Sequence, residues 1–187
     1  MGRMRRLRQL WSLPSRLGRV RLLVLDVDGV LTDGGLWYGP AGELTKRFDV
    51  RDGLGIKLLQ QSGLEVAFLS GGSGGATEHR ARQLGIRHCL VGVSDKPAAL
   101  AGLQRDLGLA PEVTAFIGDD YNDLAVRPRV ELLVATADAA PGLRRQADLV
   151  LSSRGGDGAV REMAERLLRG TPLWQEITGE GWRQRND

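Results

Sequence analysis

A three-layer α/β/α sandwich on a parallel sheet is the fold class this sequence predicts, and three observations carry it. From residue 21 onward, short apolar runs alternate with longer segments of helical periodicity, the pattern of a parallel sheet covered by helices on both faces. Two of those runs end directly in clustered carboxylates, where an open parallel sheet gathers its ligand-binding groups. The chain has 187 residues, 42% of them hydrophobic, which suits one domain with a substantial core and would be cramped for two.

Residues 1–19 read as a basic arm. Seven arginines from Arg3 to Arg21 precede the first acidic residue, Asp26; without those seven of the 26 basic residues, 19 stand against 23 acidic ones. The basicity therefore belongs to this end. A solvated extension is expected, nucleic acid is not an expected partner, and a targeting role for the arm stays open.

Residues 20–169 carry the domain. Leu22 to Val27 reads as the first buried strand. Leu36-Trp37-Tyr38 and Glu43 to Phe48 flank Gly39-Pro40-Ala41-Gly42, a β-hairpin inserted at about 34–49. An isolated hairpin is barely stable in water, so Trp37 and Phe48 need cover, from a neighbouring subunit or from their own domain. Residues 51–62 form a helix closed by Gly63, and Val66 to Leu69 the second core strand. A helix over 73–84 stops at Gly85, a short strand follows near His88 to Val91, and a helix over 95–107 stops at Gly108. Val113 to Ile117, Leu132 to Val134 and Leu149 to Leu151 supply the remaining strands. Val160, Met163, Ala164, Leu167 and Leu168 recur at helical spacing, so 157–169 closes the domain as an amphipathic helix. Residues 170–187 form a tail with no reading of their own.

The single Cys89 excludes an intramolecular disulfide, and two histidines with one cysteine are too few for a typical structural zinc site. A reducing cytoplasm is expected. No apolar stretch approaches the roughly 20 residues that span a bilayer, so no membrane partner is expected either.

The chemistry sits at the strand ends. Asp26-Val27-Asp28-Gly29 follows Leu22-Leu23-Val24-Leu25, and Gly118-Asp119-Asp120-Tyr121-Asn122-Asp123 follows Ala115-Phe116-Ile117. Adjacent parallel strands bring Asp26 and Asp119 together, and clustered anionic oxygens repel unless a cation joins them; a hard divalent ion, Mg²⁺, is implied. Between them Ser70-Gly71-Gly72 offers a hydroxyl and backbone N–H groups for an anion, and Lys96 a cation for phosphoryl oxygens. These parts point to phosphoryl transfer through an aspartyl-phosphate, with Asp26 as nucleophile and Asp28 as acid/base.

These residues resemble the haloacid dehalogenase superfamily of phosphohydrolases, its motifs matched by Asp26-Val27-Asp28-Gly29-Val30-Leu31-Thr32, Ser70, Lys96 and Gly118-Asp119-Asp120 with Asp123. The resemblance implies Mg²⁺ on the Asp26 side chain, the Asp28 backbone carbonyl and Asp119, with Asp120 and Asp123 supporting or supplementing them. It implies phosphate held by Ser70, Gly71 and Lys96. The hairpin, Phe48 to Gly55, Arg80 to Ile86 and Gly155 to Glu162 are similar to the 3-deoxy-D-manno-octulosonate 8-phosphate (KDO 8-phosphate) phosphatase family. That likeness implies a Rossmann-like fold without a large cap domain, a sugar-acid phosphate substrate, and a homotetramer whose hairpins build a central barrel. It also implies Asp52, Arg80 and Arg161 as substrate contacts. One departure stands out: Gly72 lies where that family has arginine, a planar carboxylate donor. A nine-carbon ulosonic acid phosphate, another sugar phosphate, or a catalytically silent interaction protein are the alternatives.

Overall fold

Leu22–Leu25 (β1) is fully buried at the centre of a six-stranded sheet in the computed structural model, which describes residues 13–42 and 44–183. It pairs in parallel with Glu65–Leu69 (β4) on one side and Thr114–Gly118 (β6) on the other, placing Leu25 level with Phe68 and Ile117. His88–Leu90 (β5) lies outside β4, while Leu132–Ala135 (β7) and Leu149–Val150 (β8) lie outside β6, all parallel. The strand order β5-β4-β1-β6-β7-β8 reverses direction about β1. That reversal opens a crevice beyond the carboxyl ends of β4, β1 and β6.

Successive side chains of a strand point to opposite faces, so a strand covered on both sides reads as a continuous apolar run. Leu23 and Leu25 enter one core with Ile56, Leu59, Leu84, Val160 and Met163; Leu22 and Val24 enter another with Leu100, Leu103, Phe116 and Leu143. The first core is roofed by Val50–Gln61 (α1), Ala76–Leu84 (α2) and Ala159–Leu168 (α5). The second is roofed by Lys96–Leu107 (α3) and Pro141–Gln146 (α4), together with a 3₁₀ segment, Tyr121–Arg129. Helices α1 and α5 come close enough that a Cβ on Gly55 would lie 3.0 Å from the Arg161 Cα.

The expected stops hold for physical reasons. Gly85 and Gly108 end α2 and α3 at φ 70 and 64, a left-handed conformation that favours glycine. Asp95 begins α3 by accepting the Ala98 N–H at 2.9 Å, which sets Lys96 in the first turn. Helix α2 starts at Ala76 rather than 73, because Gly75 at φ 68 interrupts the helical path.

Several segments differ from the sequence expectation. Residues 13–17, assigned to the arm, are helical; Leu13 and Leu17 pack on the first core. Arg16 is buried, with Nε 2.8 Å from Glu131 Oε1 and a second guanidinium nitrogen 3.1 Å from Asp148 Oδ1. A buried guanidinium needs such partners, and they lie just ahead of β7 and β8. Residues 1–12 fall outside the described part. The tail also folds back: Pro172–Glu180 (α6) is capped by Thr171, and Leu173, Trp174, Ile177 and Trp182 pack against the first core.

The hairpin forms but is short. Trp37–Tyr38 (β2) pairs antiparallel with Leu44–Thr45 (β3), Trp37 opposite Thr45. Phe48 is covered by its own domain, packed on the first core with the Arg80 guanidinium 5.9 Å above its ring. Trp37 and Tyr38 stay 68% and 69% exposed.

Candidate active site

Four loops converge beyond the sheet's carboxyl edge. Asp26 leaves β1 almost fully buried, and its Oδ1 accepts the Val27 N–H at 2.7 Å. The chain then winds tightly: the N–H groups of Leu31 and Thr32 return to the Val27 carbonyl at 2.9 and 3.1 Å. Gly29 is required inside this turn, since at φ +85 a Cβ would fall 2.0 Å from Asp119 Oδ2. The loop before α5 packs on the same turn, backbone to backbone. The Gly156 N–H donates to the Val30 carbonyl at 2.9 Å, and a Cβ on Gly155 would sit 1.8 Å from the Gly29 oxygen.

Asp119 leaves β6 beside Asp26. Carboxylate oxygens of Asp26, Asp119 and Asp123 lie within 4.8 Å of one another. Lys96 reaches in from the first turn of α3, buried, with Nζ 3.0 Å from Asp26 Oδ2 and 2.6 Å from Asp123 Oδ1. The other Asp123 oxygen accepts backbone N–H groups of Asp119 at 3.0 Å and Asp120 at 3.4 Å. Asp123 thus fixes both the lysine and the turn that carries Asp119. Asp120, outside the trio, accepts the Tyr121 N–H at 2.7 Å and caps the 3₁₀ segment.

A cavity of about 240 Å³ joins these groups, lined by Asp26, Asp28, Ser70, Gly71, Gly72, Asp119, Asp120 and Asn122. Ser70, at the end of β4, accepts the Gly72 N–H at 3.0 Å, so its own hydroxyl hydrogen can serve a ligand. Lys96 lies behind Asp26, not among the residues lining the cavity.

Asp28 is held by a residue that sequence reasoning missed. Lys46, on the hairpin's return arm, donates to Asp28 Oδ2 at 2.9 Å and lies 2.7 Å from Oδ1. Eighteen residues separate the two, and no helical or strand spacing links them. Asn122 was missed as a lining residue too, though it stands between Asp119 and Asp123.

The expected substrate contacts fare differently. Asp52 does not reach the cavity: it is 1% exposed, and its oxygens accept the Gly158 and Arg161 N–H groups at 3.3 and 2.8 Å. A buried carboxylate finds its donors at the start of α5, so Asp52 caps that helix. Burial pushes its pKa up to about 6, against the lowering effect of the Arg161 N–H. The Arg161 guanidinium pairs with Glu165 one turn along α5, at 2.8 Å. Arg80 lines a second, more apolar cavity of about 480 Å³ with Lys46, Phe48 and His79.

The electrostatics leave the site short of positive charge. Burial first, then the Asp123 charge, push Asp26 up to about 6 despite Lys96. Burial and the charges of Asp26, Asp123 and Asp120 push Asp119 up to about 8. Burial disfavours the Lys96 ammonium, but Asp26 and Asp123 outweigh it and hold its pKa above the ordinary lysine value. Oxygen donors gathered with an uncompensated negative charge fit a hard divalent cation such as Mg²⁺.

This crowding has a measurable consequence. The folded protein without metal retains protons on Asp26 and Asp119 that ordinary carboxyls in the unfolded chain lose near 3.8. Stability therefore falls as pH rises from about 3.8, the Asp26 contribution levelling off above about 6 and that of Asp119 above about 8. A divalent ion competes with those protons, so magnesium should raise Tm more at about pH 8 than at about pH 6 in scanning calorimetry. Equal shifts at both would separate the ion from this cluster.

Comparison with known proteins agrees with this geometry. Two descriptions of the haloacid dehalogenase-like hydrolases match residues 42–126 and 90–163. The chain is 45% identical over 161 residues to the 3-deoxy-D-manno-octulosonate 8-phosphate phosphatase of Escherichia coli K12, covering 86% of each protein. It superposes on the crystal structure of the phosphatase of that name from Yersinia pestis with a TM-score of 0.84, at 42% identity over 90% of this chain and 89% of that one. The Moraxella catarrhalis enzyme, crystallised with magnesium, phosphate and KDO, gives a TM-score of 0.86 at 34% identity, covering 90% of this chain and 97% of that one. Strand order, convergent carboxylates and these relatives agree: the chain belongs to the haloacid dehalogenase-like hydrolases.

Proposed function

We propose that the protein hydrolyses a sugar-acid phosphate monoester, 3-deoxy-D-manno-octulosonate 8-phosphate, to the free sugar acid and inorganic phosphate. The observation that carries this reading is the meeting of Asp26 and Asp119, which line one small polar cavity, with Asp123 and Lys96 behind them, in a chain 45% identical to phosphatases of that substrate.

An Asp26 carboxylate oxygen attacks phosphorus, the ester P–O bond breaks, and its electron pair leaves on the sugar oxygen, which takes a proton from Asp28. The resulting aspartyl-phosphate is cleaved by water. Asp28 accepts the water's proton, the water oxygen bonds to phosphorus, and the P–O bond to Asp26 breaks, restoring the carboxylate. Ser70 and the Gly71 N–H hold phosphoryl oxygens, while Lys96 fixes Asp26 and offsets its charge. Asp26, Asp119 and the Asp28 carbonyl would hold Mg²⁺, with Asp123 and Asp120 in support; bound there, the ion supplies charge neutralisation between two anionic reactants.

Gly72 favours a second substrate reading. A loop without the arginine side chain leaves room for a longer acid sugar, and Arg80 in the adjoining cavity remains a guanidinium for its carboxylate. A nine-carbon ulosonic acid phosphate is therefore the rival substrate. We also place the enzyme in the cytoplasm as a homotetramer. The exposed strip of Leu36, Trp37 and Tyr38 supports contact between copies; the lone Cys89 supports a reducing compartment. Among the described residues no helix is long and apolar enough to cross a membrane.

Phosphate release from eight- and nine-carbon ulosonic acid phosphates and a neutral sugar phosphate, with and without Mg²⁺, tests the assignment. The expected result is the highest kcat/KM on the eight-carbon acid, only with metal, and a light-scattering mass of four chains. Equal weak rates across the panel would refute it.

A further inference from the structure

We propose that Lys46 is a positioning residue for Asp28, orienting the carboxyl that protonates the leaving oxygen. The proposal rests on the acid/base role given to Asp28 above. The Lys46 side chain is 1% exposed, although it follows a hairpin whose Trp37 and Tyr38 are exposed. Its ammonium has three hydrogens and three oxygens around it: Asp28 Oδ2 at 2.9 Å, Asp28 Oδ1 at 2.7 Å, and Thr77 Oγ1 at 3.3 Å.

The two Asp28 oxygens are not equivalent. Oδ2 accepts an aligned hydrogen bond, whereas Oδ1, close to the same ammonium, is buried without an aligned donor. Two close contacts from one buried ammonium fix the rotation of the Asp28 carboxyl group. Lys46 thereby sets how the carboxyl group of Asp28 is presented to the cavity that it lines.

Place in the fold agrees. Asp28 lines the cavity with Asp26 and Ser70, while Lys46 lines the adjoining one with Arg80 and His79. The pair therefore stands at the border between the phosphoryl site and the room for the rest of the substrate, where the scissile oxygen must lie. Gly72 keeps that border open: a Cβ there would sit 2.7 Å from Asp28 Oδ2 and 3.5 Å from the ammonium.

A general acid matters when the leaving group is a poor one. An alkoxide needs a proton as the P–O bond breaks; a 4-nitrophenolate leaves without one. The test is Lys46→Met in the full-length chain with Mg²⁺, assayed on the sugar-acid phosphate and on 4-nitrophenyl phosphate. The expected result, read as kcat/KM because that ratio reports formation of the aspartyl-phosphate and not its hydrolysis, which both esters share, is a loss of about 10- to 100-fold on the sugar phosphate and less than about threefold on the aryl ester. Lys46→Arg should recover part of the lost rate. Equal losses of kcat/KM on both substrates, or none on either, would overturn the proposal. Should Lys46→Met not fold, Thr77→Val removes one acceptor from the ammonium, and a smaller loss confined to the sugar phosphate is expected; an equal loss on both esters counts against the assignment. A wild-type protein that releases phosphate from neither ester would instead overturn the reading of the site, and this assignment with it.

Discussion

Asp26→Asn abolishes turnover while making the protein more stable. Asparagine keeps the shape of the side chain but lacks the anionic oxygen that attacks phosphorus, so kcat/KM falls by at least about a thousandfold. Burial and the neighbouring Asp123 already raise the Asp26 pKa to about 6, which means that ionised Asp26 is a cost to the folded state at neutral pH. Removing that charge gains on the order of 1–3 kcal/mol at pH 7. Chemical denaturation of the metal-free proteins, together with phosphate release, reads both effects. A variant that is inactive and less stable would show that Asp26 is held by net favourable interactions, against the electrostatic account above.

Lys96→Met acts in the opposite direction on stability. The ammonium touches Asp26 and Asp123 at 3.0 and 2.6 Å, in a site where all three side chains are nearly inaccessible. Methionine fills similar volume but leaves buried carboxylates facing one another, and breaking such a pair from one side costs about 3–5 kcal/mol. Turnover is lost as well, because Asp26 loses the partner that orients it. Two controls separate charge from packing. Magnesium should restore part of the lost stability, since it supplies positive charge to the same oxygens. In the double variant with Asp26→Asn, the loss should be smaller than in Lys96→Met alone, a coupling that distant sites do not show. Urea denaturation with and without Mg²⁺ measures both; a loss indifferent to metal and to residue 26 would assign Lys96 a packing role only.

The strands, the alternation and the acidic loops were legible in the amino-acid order because each has a local cause. Leu22 to Leu25 is apolar without a break since both of its faces are covered, and Gly85 and Gly108 mark helix ends because few other residues adopt their backbone angles. The ends of the domain were less legible. Leu13, Arg16, Trp174 and Trp182 look like parts of a loose arm and tail, and only distant partners such as Glu131, Asp148 and the first core hold them in place.

The sequence alone determined that carboxylates follow two core strands, because strand ends and their motifs are contiguous in the chain. Which carboxylate does what was decided by the tertiary structure. Asp52 and Asp26 are both buried acids with pKa values pushed up to about 6, yet one caps a helix and the other faces the cavity. Lys46 became part of the site only when the hairpin folded back onto Asp28. Hydrogen bonds and ion pairs act over a few ångströms of space, whatever number of residues lies between the partners, so local sequence pattern does not encode them.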